Sequence, residues 1–84
     1  CQTGELDHAS ALLSQGIDLA RKAGTSMYEA KLRNNLGLVH LLAERRDEAA
    51  GEFGRALELV EGKLGRENPL FRKIEGNLNQ ALCA

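Results

Sequence analysis

The sequence lacks tryptophan, has a single proline, and is only 4% aromatic. With one proline and few β-branched residues it offers little material for strands. Charge of one sign is also missing. Eleven Lys and Arg face 12 Asp and Glu, a net charge of −1, which argues against a nucleic-acid binder with its usual basic stripe. No apolar run approaches the ~18 residues that would span a bilayer, so no membrane partner is expected. No signal-peptide pattern opens the chain. It begins at Cys1 rather than Met, as a processed product or a piece of a longer protein would. A lipid on Cys1 is disfavoured, because a helical pattern starts almost at once and leaves little tether.

Cysteine is scarce as well. Cys1 and Cys83 stand at opposite ends and make no disulfide framework, so thiols in a reducing, cytoplasmic compartment are expected. With His8 and His40 they give no compact zinc-ligand spacing. No glycine-rich phosphate loop follows a strand, and no nucleophile is paired with a base. An enzyme is not expected from these residues, nor a cofactor or a metal.

What is present is helix-forming. Leu, Ala, Glu, Arg and Lys dominate, in a chain 43% hydrophobic and 27% charged. The length of 84 residues suits one small domain. Apolar spacing predicts an all-α chain of four helices, over about 5–23, 27–43, 47–64 and 69–83. The first carries Leu6, Ala9, Leu12, Leu13, Ile17, Leu19 and Ala20, and Gly24 stops it. The second opens on Ser26 and Glu29, a capping-box pattern. The third begins with Asp47 and Glu48, whose charge suits a helix N-terminus. The fourth has Asn68 as N-cap and Pro69 as first helical residue.

The helices repeat. Shifting the second by 42 residues lays Lys31 on Lys73, Leu32 on Ile74, Asn35 on Asn77 and Leu36 on Leu78. Shifting the first by 40 lays Asp7 on Asp47, Ala9 on Ala49, Leu13 on Phe53, Ile17 on Leu57 and Leu19 on Leu59. Two helix types therefore alternate, in the order B–A–B–A. One helical hairpin cannot bury its apolar face alone, whereas stacked hairpins build a continuous core.

Leu36-Gly37, His40, Ala49, Phe53 and Ala56 resemble the tetratricopeptide signature of small and large core residues. Ala9, Leu13 and Gly16 occupy the last three of those places in the first helix. The 42-residue step, Asn34-Asn35-Leu36 and the Leu64-Gly65…Asn68-Pro69 loop resemble the kinesin-light-chain type, longer than the common ~34 residues. The resemblance covers nearly the whole chain. Three departures stand out: His40 replaces a usual Tyr, Arg46 replaces an aromatic, and Asn79 replaces a small residue.

The resemblance implies a right-handed α-solenoid of antiparallel helix hairpins. The chain would be a single unit over residues 1–84 and a slice of a longer array, with an apolar face open at each end. It also implies that the A helices line a concave groove for a peptide or partner protein. Lys31, Asn34, Asn35, Leu38, Leu41 and Leu42 would lie there, with Lys73, Asn77, Gln80 and Cys83 from the fourth helix. Asn can pair with the backbone of an extended peptide. Lys31 and Lys73, each one turn before an Asn, would favour an acidic segment or a terminal carboxylate. The competing expectation is that both Lys are merely solvated and the Asn side chains serve contacts between hairpins. A structural or self-association segment, paired through its open end helices, is the alternative to a binding module. The run Arg45-Arg46-Asp47-Glu48 reads as a solvated turn and helix start.

Overall fold

The computed structural model describes residues 3–83, of which all but the turns are helical. Four helices follow one another: α1 (Thr3–Ala23), α2 (Ser26–Leu42), α3 (Arg46–Leu64) and α4 (Pro69–Leu82). Strands are absent among the described residues. The boundaries differ from the sequence expectation by one or two residues, as helix ends commonly do.

Each helix packs on its chain neighbour, and α2 also meets α4. The connections between α1 and α2 and between α2 and α3 are too short for anything but antiparallel neighbours. Because α2 and α4 are two helices apart, they run in roughly the same direction and share one side of the molecule. Its extents are 38 × 31 × 16 Å, a slab rather than a ball.

The core lies between α2, α3 and α4. Ala30, Ala49, Phe53, Ala56, Val60, Phe71, Ile74 and Ala81 form it, with Leu41, Leu57, Leu70 and Leu78 partly buried around them. Phe53 is the largest side chain to be fully enclosed. Complete burial of such a side chain contributes about 1.5–3 kcal/mol. Gly37 makes room for it: a Cβ at position 37 would stand 2.5 Å from Phe53 Cε1. Close approach of α2 and α3 thus depends on the absence of a single methyl group.

α1 and α2 end in the same way. The Gly24 N–H donates to Arg21 O and the Thr25 N–H to Ala20 O; the Glu44 N–H donates to Leu41 O and the Arg45 N–H to His40 O. Both are Schellman turns, whose pivotal residue must take a left-handed conformation. Gly24 does so at φ 73, and Glu44 does so at φ 63 without a glycine's freedom.

The capping box expected at Ser26 and Glu29 does not form. Thr25 is the N-cap and makes no side-chain cap bond. Its hydroxyl instead donates to Ala20 O at 3.2 Å. Glu29 is buried and accepts from Arg33 Nε at 2.8 Å. Arg33 also reaches Glu52 on α3 at 2.8 Å. A buried carboxylate gains more from a guanidinium than an exposed helix start gains from a second cap. At α4 the expectation does hold: the Leu70 N–H donates to Asn68 Oδ1 at 2.8 Å, and Pro69 follows.

Candidate interaction surface

The side shared by α2 and α4 carries most of the residues that the resemblance singles out. Positions 31, 38 and 42 of α2 are exposed, while 29, 30, 36, 37 and 40 point inward. A helix turns 100° per residue, so Lys31 and Leu38, seven apart, lie on nearly one line, ~10 Å from each other along the axis. Lys73 and Gln80 are spaced identically on α4.

The two helices are joined by a side-chain hydrogen bond. Asn77 Nδ2 donates to Asn34 Oδ1 at 2.9 Å. Asn34 is buried and Asn77 half-buried. The sequence alignment of α2 on α4 pairs Asn77 with Asn35 instead. Asn35 is exposed and makes no side-chain bond among the described residues, so it is Asn34 that meets Asn77. The contact joins the facing edges of two neighbouring helices, so residues that are not equivalent in the repeat meet. No further side-chain bond among the described residues uses the Asn34 amide NH₂ or the Asn77 carboxamide oxygen. Each retains hydrogen-bonding capacity beyond the pair.

Beyond the Asn pair the surface opens into a hollow of about 570 Å³, lined by Leu38, Leu41, Leu42, Glu44, Arg46 and Gln80. Leu42 is 72% exposed and Leu38 36%, so two large apolar side chains form its wall without a covering neighbour. The far rim is fixed. Arg46 Nη1 donates to the carbonyl oxygen of Cys83, tying the start of α3 to the end of α4. Arg46, Asp47 and Glu48 are exposed at the start of α3, in keeping with the expected solvated turn and helix start. Within it Arg45 pairs with Asp7 of α1 at 2.7 Å. Asp7 raises the pKa of the Arg45 guanidinium.

Lys31 and Lys73 are exposed and form no ion pair among the described residues. They lie outside the lining of the hollow, at the other end of the same surface. The Cys83 side chain is exposed, while Cys1 lies outside the described residues. Leu38, Leu41, Leu42 and Gln80 are therefore brought together, Asn34 is joined to Asn77, and Asn35 is left apart from both.

Two polar groups lie off this surface. Burial alone would lower the pKa of Arg33, but bonds to Glu29 and Glu52 outweigh it and raise the value. His40 is buried, and its Nδ1 has no hydrogen-bond partner. No cluster of three or more metal-ligating side chains occurs among the described residues. No helix there is long and apolar enough to cross a membrane.

The sequence matches no protein-family model, no curated protein and no solved structure.

Proposed function

We propose that this chain is part of a right-handed α-solenoid of tetratricopeptide type and works as a protein-binding module, receiving a peptide or partner segment along the side shared by α2 and α4. The observation that carries this reading is the uncovered apolar hollow at Leu38, Leu41, Leu42 and Gln80, next to the Asn34–Asn77 pair. An exposed apolar wall beside amide groups with hydrogen-bonding capacity suits a ligand with one large apolar side chain and an accessible backbone. Lys31 and Lys73 add positive charge at the opposite end. The fitting ligand carries a carboxylate, from an acidic side chain or a chain terminus, ~10 Å from its apolar anchor. In an extended peptide that is roughly three residues.

The test is selection on the immobilised chain from a random peptide library with free C-termini. Selected peptides should be enriched in acidic residues near a large apolar one. Their affinity should fall at least tenfold in Leu38→Asp, and should weaken with added salt in the parent but less so in Lys31→Gln/Lys73→Gln. Peptides that bind Leu38→Asp as tightly as the parent would remove the hollow from the reading.

A second reading, a structural segment that self-associates through its end helices, has its own support in exposed Leu12 and Leu19 on α1 and Leu82 on α4. Sedimentation over a wide concentration range separates the two, since a strict monomer leaves no room for self-association of this chain.

A further inference from the structure

The apolar hollow lies where α2 and α4 both end, and the two helix ends are met by opposite charges. The last carbonyl groups of a helix leave a partial negative charge, which a cation relieves and an anion aggravates. At α4 the relief is in place, since Arg46 Nη1 donates to the Cys83 carbonyl. At α2 the opposite holds. Glu44 follows the C-cap residue Ala43 and puts a carboxylate beside the helix end. It also takes a left-handed backbone at φ 63, where the matching turn of α1 has Gly24 at φ 73. Position 44 is thus unfavourable twice over, in charge and in backbone.

Nothing among the described residues compensates. Glu44 is exposed and forms no ion pair there. The two cations next to it in sequence are turned elsewhere, Arg45 to Asp7 and Arg46 to Cys83. Yet Glu44 lines the hollow beside Leu41 and Leu42. A strained residue with an unmet charge at the rim of an uncovered hollow has the marks of a binding group rather than a structural one. The hollow is internal to three described helices, because α3 packs against both α2 and α4.

We infer that Glu44 is a specificity-determining residue of the hollow and takes a lysine or arginine side chain of the partner segment. This rests on the protein-binding reading above and gives its ligand a second charge. Leu38 and Gln80 receive the large apolar side chain. Leu41 and Leu42 suit the aliphatic stem of a basic one, which packs on apolar surface while its head stays in water. The head meets Glu44 at the negative end of α2. Leu42 lies one turn beyond Leu38, ~6 Å further from Lys31 along the axis. In an extended segment that is roughly two residues. The fitting segment is therefore basic, apolar and acidic in that order, with its acidic end toward Lys31 and Lys73. Because α2 and α4 run in roughly the same direction, their dipoles reinforce this order.

The probe is a random peptide mixture acetylated at the N-terminus and free at the C-terminus, so that no terminal amine can replace a side chain. It is selected on the immobilised parent chain, on Glu44→Gln and on Glu44→Gly. Peptides from the parent should carry Lys or Arg near the large apolar residue, on the side away from the acidic one. Those from either variant should keep the apolar and acidic positions and lose the basic one. A parent-selected peptide resynthesised with norleucine for its basic residue should bind about three- to fivefold more weakly, the scale of an exposed ion pair. It should no longer distinguish the parent from Glu44→Gln. Glu44→Gly removes the backbone strain together with the charge, so a lost preference in that variant reports the carboxylate and not unfolding. Apolar–acidic peptides without a basic preference on the parent overturn the inference and leave the binding module standing. So does a basic preference that persists in both variants. Failure to select any peptide on the parent removes the binding module, and the inference with it.

Discussion

Asn77 donates a hydrogen bond to Asn34 across 43 residues of sequence, and this bond is the polar tie between two helices that have no direct connection. Both partners sit on the surface proposed to receive a peptide, so the pair orders that surface as well as lining it. A double-mutant cycle should reveal the tie. Asn77→Ala is expected to cost about 1 kcal/mol, the usual net worth of one such bond together with the acceptor it leaves unpaired. Asn34→Ala/Asn77→Ala should cost about 0.5–1.5 kcal/mol less than the sum of the single changes. Urea denaturation measures all three. Strict additivity would mean that the bond contributes nothing.

Gly37 is expected to tolerate no side chain while Phe53 is present. Alanine favours helix over glycine by about 1 kcal/mol, but its methyl would overlap the Phe53 ring at 2.5 Å. Overpacking of this kind costs about 1–3 kcal/mol. Gly37→Ala should therefore lower stability or leave it flat, against the propensity trend. Phe53→Leu, the residue that α1 carries at the same place, should make Gly37→Ala less harmful. Thermal melts of the two single variants and the pair provide the check.

Arg33 sits between Glu29 and Glu52 with little solvent contact. Removing it strands a buried carboxylate, so Arg33→Ala is expected to destabilise by about 3–5 kcal/mol. Arg33→Lys should recover only part, because an ammonium lacks the fork that reaches both acids. The pH dependence has a definite sign. The folded pKa of Arg33 lies above the ordinary guanidinium value. Its stabilising contribution is fully present below the unfolded value and is lost only as pH rises through the folded one. Deprotonation of Arg33 should therefore not weaken the fold anywhere from neutral pH to ~11, a range that chemical denaturation can follow.

Glu44 holds the left-handed place in the turn that closes α2, where the matching turn of α1 has Gly24. Glu44→Gly should stabilise the chain by about 1 kcal/mol, because glycine takes that conformation without a steric penalty. Gly24→Ala should destabilise by a similar amount. Glu44 also lines the apolar hollow, so the same variant tests whether its carboxylate affects the affinity of selected peptides.

Much of the architecture is legible in the residues. Spacing of leucine and alanine marks four helices. Gly24 and Asn68-Pro69 mark ends and starts, because each has a local steric or hydrogen-bonding reason that needs no distant partner. The resemblance of α1 to α3 and of α2 to α4 is legible too. What failed was local reasoning applied to charged residues. Ser26 and Glu29 spell a capping box, yet Glu29 turns to Arg33. Glu29 is drawn inward because Arg33, one turn further along α2, is itself held by Glu52 of α3. Arg46 lies in an exposed helix start as expected, and its bond to the Cys83 carbonyl, 37 residues away, is one that local pattern does not announce.

The sequence by itself determined that the chain is helical, where its turns fall, and which faces are apolar, since these follow from periodicity and backbone conformation within a few residues. Tertiary structure alone decided that Asn34, rather than Asn35, meets Asn77. It also decided that Leu38, Leu41, Leu42 and Gln80 enclose one hollow. These depend on how neighbouring helices are placed against one another, through contacts such as Phe53 over Gly37, Arg33 to Glu52 and Asn77 to Asn34 that join residues far apart in sequence.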